Sequence, residues 1–254
     1  MMPMTFPDLK QLGHSIDLLQ NVLRAERVTV LGGEPLLNRD LLDLLHTLRD
    51  SKMFDRVVVT TNGLLLHRMS PKFWELTDVV EISVYPNTRL SLKKQLPELS
   101  DTAFAANTEI HLIASGTFKH IVLSSRIPSD DLVRDLYKAC YYKTFTNTLV
   151  GDRFYKCAPC VNIGRGVAAS DAVQQPIDNG IEIDGSQDMP ERLTRYLEDS
   201  TPLNACAYCI GSSGSSFTHR QLRARDPDEV PPPFAESLVS DEFWLKRREN
   251  EHAS

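Results

Sequence analysis

The first 139 residues contain no cysteine; all five cysteines fall between Cys140 and Cys209. Thiol or thiolate-metal chemistry is thereby confined to the second half. The chain also lacks an apolar run long enough to span a bilayer. Its opening residues, Met1, Met2, Pro3 and Met4, lead into neither a basic segment nor the apolar core of a secretory leader. A cytoplasmic protein without a membrane partner is the expectation. There is no basic surplus either: 28 Lys and Arg stand against 34 Asp and Glu, a net charge of -6. That argues against a nucleic-acid partner, because nothing in excess is present to neutralise phosphates. No internal repeat is visible. What is there is ordinary: 254 residues, 41% hydrophobic and 24% charged, enough for one sizeable core with a small appendage.

Periodicity divides the chain in two. Leu9, Leu12, Ile16, Leu19 and Leu23 recur at helical spacing, which predicts a first helix over 6–24 with Thr5 and Asp8 as its capping box. A short buried strand follows at 28–31, ended by Gly32 and Gly33. Asn38 then caps a helix with Leu41, Leu42, Leu45 and Leu48 on one face. Further strands are expected at 56–61, 79–85 and 108–114, with a helix at 71–76 between the first two and another at 130–138. Buried strands alternating with helices imply a parallel sheet, hence an α/β fold. Such a sheet opening on its helix has an uncovered strand edge, which leads us to expect a further strand upstream of Met1. Beyond 140 the pattern changes. Residues 146–150 and 153–157 flank Gly151-Asp152 as a β-hairpin. Residues 161–190 read as mostly loop, 190–197 as a short helix and 206–216 as a Gly/Ser-rich cysteine loop. Residues 226–254, with Pro231-Pro232-Pro233 and many charges, read as a tail holding one short helix near 242–248.

Two sites stand out. Gly32-Gly33-Glu34-Pro35 sits at the carboxyl end of a parallel strand, where α/β folds place ligands. Glycine admits close backbone approach, and a carboxylate there accepts hydrogen bonds from an ammonium group. A tight turn with a helix-starting proline is the plainer reading. The cysteines run C-x16-C-x2-C-x45-C-x2-C. Four thiolates suit either a [4Fe–4S] cluster or a structural zinc. In a reducing compartment they are expected as metal ligands rather than disulfides. His14, His46 and His67 read as surface or capping residues, His111 as a possible substrate contact within a strand, and Lys93-Lys94 as a solvated face.

The glycine corner and the cysteine spacing together resemble a radical S-adenosylmethionine (SAM) enzyme with a C-terminal twitch or SPASM auxiliary domain. The resemblance covers about residues 5–225. It implies a partial (β/α) barrel over 1–139, an auxiliary cluster domain over 140–225 and a tail over 226–254. Gly32, Gly33, Glu34 and Pro35 would hold the methionine part of SAM, with Asn62 and Ser83 as further contacts. Cys140, Cys157, Cys206 and Cys209 fall in order on the auxiliary ligand positions, and Cys160 is left over as a spare thiol, a replacement ligand or a substrate-side residue. The run from Cys209 to His219, Arg220 and Gln221 also resembles family endings. The C-x3-C-x2-C loop that holds the SAM-cleaving cluster is not in this sequence. Either it belongs to an upstream segment, with a second [4Fe–4S] cluster, or the chain is a degenerate cluster- or zinc-binding relative. A complete member would cleave SAM to a 5′-deoxyadenosyl radical and abstract hydrogen from a small-molecule, sugar or peptide substrate. A reducing electron donor such as a flavodoxin is implied. The sequence as it stands is expected to cleave no SAM.

Overall fold

The computed structural model describes residues 7–166, 179–218 and 231–252. Contacts divide the chain into two compact units between Gly116 and Thr117.

The first unit is a four-stranded parallel sheet with helices between its strands. Helix α1 spans Leu9–Leu19 and strand β1 Ala25–Val30. Helix α2 (Leu41–Asp50), strand β2 (Phe54–Thr61), helix α3 (Pro71–Glu75) and strand β3 (Val79–Val84) follow. Helix α4 (Arg89–Ala105) leads into strand β4 (Glu109–Ala114). The strand order is β1-β2-β3-β4, every pair parallel. This is the α/β arrangement that the alternation implied, with its four strands where they were expected to within a few residues.

Helix α1 is shorter than the apolar spacing suggested. The Asp8 carboxylate accepts hydrogen bonds from Lys10 N at 2.9 Å and Gln11 N at 3.2 Å, which starts the helix at Leu9. Phe6 and Thr5 lie outside the described residues. Asn38 does not cap α2. Its Oδ1 accepts from Asp40 N at 3.0 Å, closing a turn that starts two residues before the N-cap position and ends on it. The buried stripe of α2 is Leu41, Leu44, Leu45 and Leu48, so Leu44 replaces the expected Leu42. Leu31, taken as the last strand residue, is 64% exposed and lies past the end of β1. Helix α4 was not foreseen. It carries Pro97 in its interior and buries only Leu92, Leu99 and Ala103, a pattern too sparse to read as a helix face.

Partners in a parallel ladder point to the same side of the sheet. Val57, Val59, Val80 and Ile82 therefore share one face, and each is at most 1% exposed. The opposite face buries Val58 and Val79, at 1% and 3% exposure, and is polar beyond them. Arg27 Nη2 lies 2.9 Å from Glu81 Oε1, and Thr60 Oγ1 donates to Glu81 Oε2 at 2.9 Å. Alongside, Arg56 Nη2 and His111 Nε2 meet Glu109 at 2.5 and 3.0 Å. A sheet buried across one face and buried only in part across the other packs a core on the first side and keeps its charged groups on the second.

The second unit has little regular structure. Strand β5 (Thr117–Lys119), helix α5 (Asp130–Ala139) and the single turn α6 (Tyr142–Phe145) come first. Strands β6 (Thr148–Val150) and β7 (Arg153–Tyr155) form the expected hairpin, with Val150 opposite Arg153 and Gly151 at φ +59°. Helix α7 (Ala158–Gly166) occupies part of the stretch read as loop. Strand β8 (Ile181–Glu182) joins the hairpin, helix α8 covers Met189–Glu198, and strand β9 (Ser216–Thr218) pairs antiparallel with β5. Helix α9 (Asp241–His252) ends the described chain.

The last described segment is no solvated tail. Val239 and Phe243 sit in one apolar cluster with Leu123, Ile127, Leu132, Val133, Leu136 and Ile210. Ser124 N donates to Pro232 O, Ser215 N to Leu238 O and Arg247 Nε to Asp135 Oδ2. The many charges around Phe243 hid the few apolar residues that anchor it.

Candidate functional site

Each unit holds one of the two sites. In the first, the carboxyl ends of β1 and β2 are tied together by Glu34. One oxygen accepts from Leu36 N at 3.1 Å and from the Thr61 hydroxyl at 2.6 Å. The other accepts from Asn62 N at 2.9 Å. Thr61 Oγ1 in turn accepts from Gly63 N at 3.1 Å, and Asn62 Oδ1 from Leu64 N at 2.9 Å. Gly63 has φ +77°, and a Cβ there would lie 2.7 Å from Ile82 Cγ2 and 2.8 Å from Leu92 Cδ2, so the turn requires glycine. Glu34 also caps the short 3₁₀ turn Pro35–Leu37, in which Pro35 is buried.

The sequence-predicted residues Glu34 and Asn62 are thus in contact, and Thr61, outside the predicted set, joins them. Its signal was the Thr-Asn-Gly sequence at a strand end. Gly32 and Gly33 are exposed, neither has a positive φ, and a Cβ on either would meet nothing within 4 Å. Among the described residues, neither packing nor backbone conformation calls for glycine there. Ser83 lies near the end of β3, opposite Ile113 on the polar face with Glu81. No contact joins it to Glu34 or Asn62 among the described residues. His111 is on that same face, paired with Glu109, while His14, His46, His67 and Lys93-Lys94 are exposed, as their plainer readings had it.

In the second unit the five cysteines line one open cavity. Cys140 is the C-cap residue of α5, and Cys157 and Cys160 flank the start of α7. Cys206 lies in the 3₁₀ turn Asn204–Tyr208, with Cys209 immediately after it. Tyr137, Ile163, Leu203, Ala205 and Ile210 supply apolar wall. Gly211 makes room for Cys140: a Cβ there would lie 2.7 Å from Cys140 Sγ, and its φ is +53°.

The cavity sets the thiols apart electrostatically. Cys157 Sγ and Cys160 Sγ are 3.2 Å apart. Their contact holds the Cys157 pKa down and drives that of buried Cys160 up. Burial pushes Cys206 to about 12 and Cys209 well above its ordinary value. Without a metal, Cys206 and Cys209 therefore stay neutral thiols at neutral pH. A metal reverses this, because it binds thiolates and releases their protons.

The donor set fits an iron–sulfur cluster or a zinc in kind: soft sulfur ligands in an apolar recess. It is not drawn together. Among the described residues no three Cys, His, Asp or Glu side chains stand close enough to hold a metal ion as placed. The cysteine side chains must turn inward to close around one. His219, Arg220 and Gln221 lie outside the described residues. No helix among the described residues is long and apolar enough to cross a membrane.

No protein-family model matches the chain. It is similar to the GTP 3′,8-cyclase of Actinobacillus pleuropneumoniae serotype 3 (strain JL03), 33% identical over 84 residues, which are 31% of this chain and 24% of that protein. The GTP 3′,8-cyclase of Photorhabdus laumondii subsp. laumondii is 28% identical over 81 residues, 32% of this chain and 23% of that protein. The chain spans about a quarter of the length of the curated relatives it matches. Over that stretch these relatives support the radical SAM family, and with it a [4Fe–4S] cluster and SAM as the family's cofactors.

Proposed function

We propose that this chain carries the SAM-binding corner and the auxiliary iron–sulfur site of a radical SAM enzyme. Its first unit would be part of the barrel wall, and its second unit a twitch-type cluster domain. The observation that carries the reading is the meeting of all five cysteines at one apolar cavity, although up to 69 positions separate them. Cys140, Cys157, Cys206 and Cys209 would hold the auxiliary cluster, with Cys160 as the fifth thiol. In a complete enzyme the SAM-cleaving cluster, whose ligands this sequence does not contain, would supply with bound SAM a 5′-deoxyadenosyl radical for hydrogen abstraction.

The chain's own residues have defined work in this reading. Glu34 fixes the ends of β1 and β2 through three hydrogen bonds and places its carboxyl group at the strand ends, where an ammonium would be held. Gly32 and Gly33 leave their Cβ positions open to a ligand. Ser83 would reach SAM from the polar face of β3. The second unit's apolar wall would reduce water at the sulfurs, which are part-buried, and so bear on cluster stability and potential. The substrate class is a small molecule, sugar or peptide. A flavodoxin-like reductant would be the partner, with neither nucleic acid nor membrane involved, in the cytoplasm.

The two C-x2-C pairs also support a zinc reading, with Cys157, Cys160, Cys206 and Cys209 as ligands, because Cys157 and Cys160 already stand side by side. Metal and sulfide content of anaerobically purified chain decides between them. Four irons with matching sulfide support the auxiliary cluster. One zinc without iron overturns it. Formation of 5′-deoxyadenosine by this 254-residue chain alone would overturn the assignment of SAM cleavage to a cluster it does not carry.

A further inference from the structure

Lys156 is the only Lys, Arg, Asp or Glu among the described residues that is buried, at 3% exposure. It lines the cysteine cavity next to Cys157. Its Nζ donates to the backbone carbonyl of Asp199 at 2.5 Å and lies 5.8 Å from the centre of each of the Tyr137 and Tyr196 rings. No ion pair among the described residues includes it. The other cavity lysine differs. Lys143 Nζ donates to Tyr137 O, Lys138 O and Cys140 O, so all three of its protons go to the C-terminal end of α5.

A buried ammonium with one carbonyl and two ring faces is poorly compensated, and buried charges are seldom kept without a counter-charge. The Asp199 carboxylate favours the charge only from solvent and beyond ion-pair distance, and among the described residues lining the cavity there is no carboxylate, so a counter-charge there falls to the cysteines as thiolates. Four thiolates around a [4Fe–4S] core make a dianionic centre. We propose that Lys156 is the built-in counter-charge of a thiolate-bound cluster in this cavity, favouring its assembly and raising its reduction potential. This rests on the cluster reading above. Lys156 would act as a positioning and tuning residue and touch no substrate.

The test uses the full chain, expressed and purified without oxygen, as wild type, Lys156→Gln and Lys156→Arg. Iron and sulfide are counted, and the cluster is titrated reductively while its paramagnetic signal is followed. Glutamine keeps a donor for the Asp199 carbonyl and removes the charge; arginine keeps the charge. At a fixed ambient potential the Gln variant should shift the oxidised-to-reduced ratio about tenfold towards oxidised, about 59 mV for one electron. The Arg variant should stay near wild type. Loss of iron from Gln but not from Arg supports the proposal equally, because assembly then needs the charge. An unshifted potential in a fully loaded Gln variant overturns it. So does equal failure of both variants, which makes Lys156 a packing residue. A wild-type chain without iron removes the cluster reading itself, and that result is separate because it needs no variant.

Discussion

Up to Gly116, the candidate site is held by a carboxylate whose two oxygens accept three hydrogen bonds from two loops at adjacent strand ends. From Thr117 on, the candidate site is five thiols on turns and helix ends around an open cavity, joined by one sulfur–sulfur contact. The first is built on an eight-residue strand and its neighbours, with Val57, Val58 and Val59 buried in succession. The second is built where strands are two or three residues long. A strand-end site of this kind is finished by backbone geometry and waits for its ligand. A turn-built thiol site is finished by the metal, whose binding energy is spent on ordering the fold around it.

The largest effect should come from removing a ligand. Cys209→Ser should strip the chain of nearly all its iron, and urea unfolding should then show the second unit melting early while the first is unchanged. An unchanged iron count would show that Cys209 is no ligand. Next is Glu34→Ala. It takes the acceptor from Leu36 N, Asn62 N and the Thr61 hydroxyl, so the first unit should lose about 1.5–3 kcal/mol, read as a lower urea midpoint. Iron bound at the second unit should not change, and calorimetry should register no SAM binding. Gly211→Ala is smaller. At φ +53° an alanine costs about 1–2 kcal/mol, and its Cβ must displace Cys140 Sγ. Slower cluster assembly with normal Glu34-dependent behaviour would keep the two sites separate; a drop in SAM affinity would join them.

The unequal regularity of the two units also governed what could be read beforehand. The strands of the sheet were legible because apolar runs such as Val57-Val58-Val59 have few alternatives, and Gly32 and Gly63 mark their ends. Helix α4 was not, because Pro97 and a thin buried face gave no clear period. The hairpin β6–β7 was legible from Gly151-Asp152 and α9 as the short helix near 242–248, whereas α7 was hidden at the start of a stretch that reads as loop. Spacing found the cysteines and the Glu34 corner. It did not find Lys156 or Gly211, whose importance lies in which chain atoms they meet across the fold. For Lys156 the available signal was a lysine set between a strand and a C-x2-C pair. For Gly211 it was a glycine two residues past the second pair.

The smallest effect is one of pH, and it has opposite signs with and without metal. In the metal-free chain, burial raises the Cys206 pKa from 9.0 to about 12, so the folded state holds that proton more tightly than the unfolded chain does. The stability that this proton confers is complete below pH 9.0 and is lost as pH climbs towards about 12, where the folded thiol also ionises. Cys209, raised by burial in the same direction, adds to the loss. Thermal melts of metal-free protein from about pH 8 to about pH 11 should therefore fall, and Cys206→Ala should flatten part of that slope. With metal bound the same sulfurs are thiolates, and protons compete for them. The loaded chain should hold through that alkaline range and release its metal on acidification instead. If loaded and metal-free chains lose stability together above pH 9.0, Cys206 is not among the ligands, and the cavity must close its metal with the other four thiols.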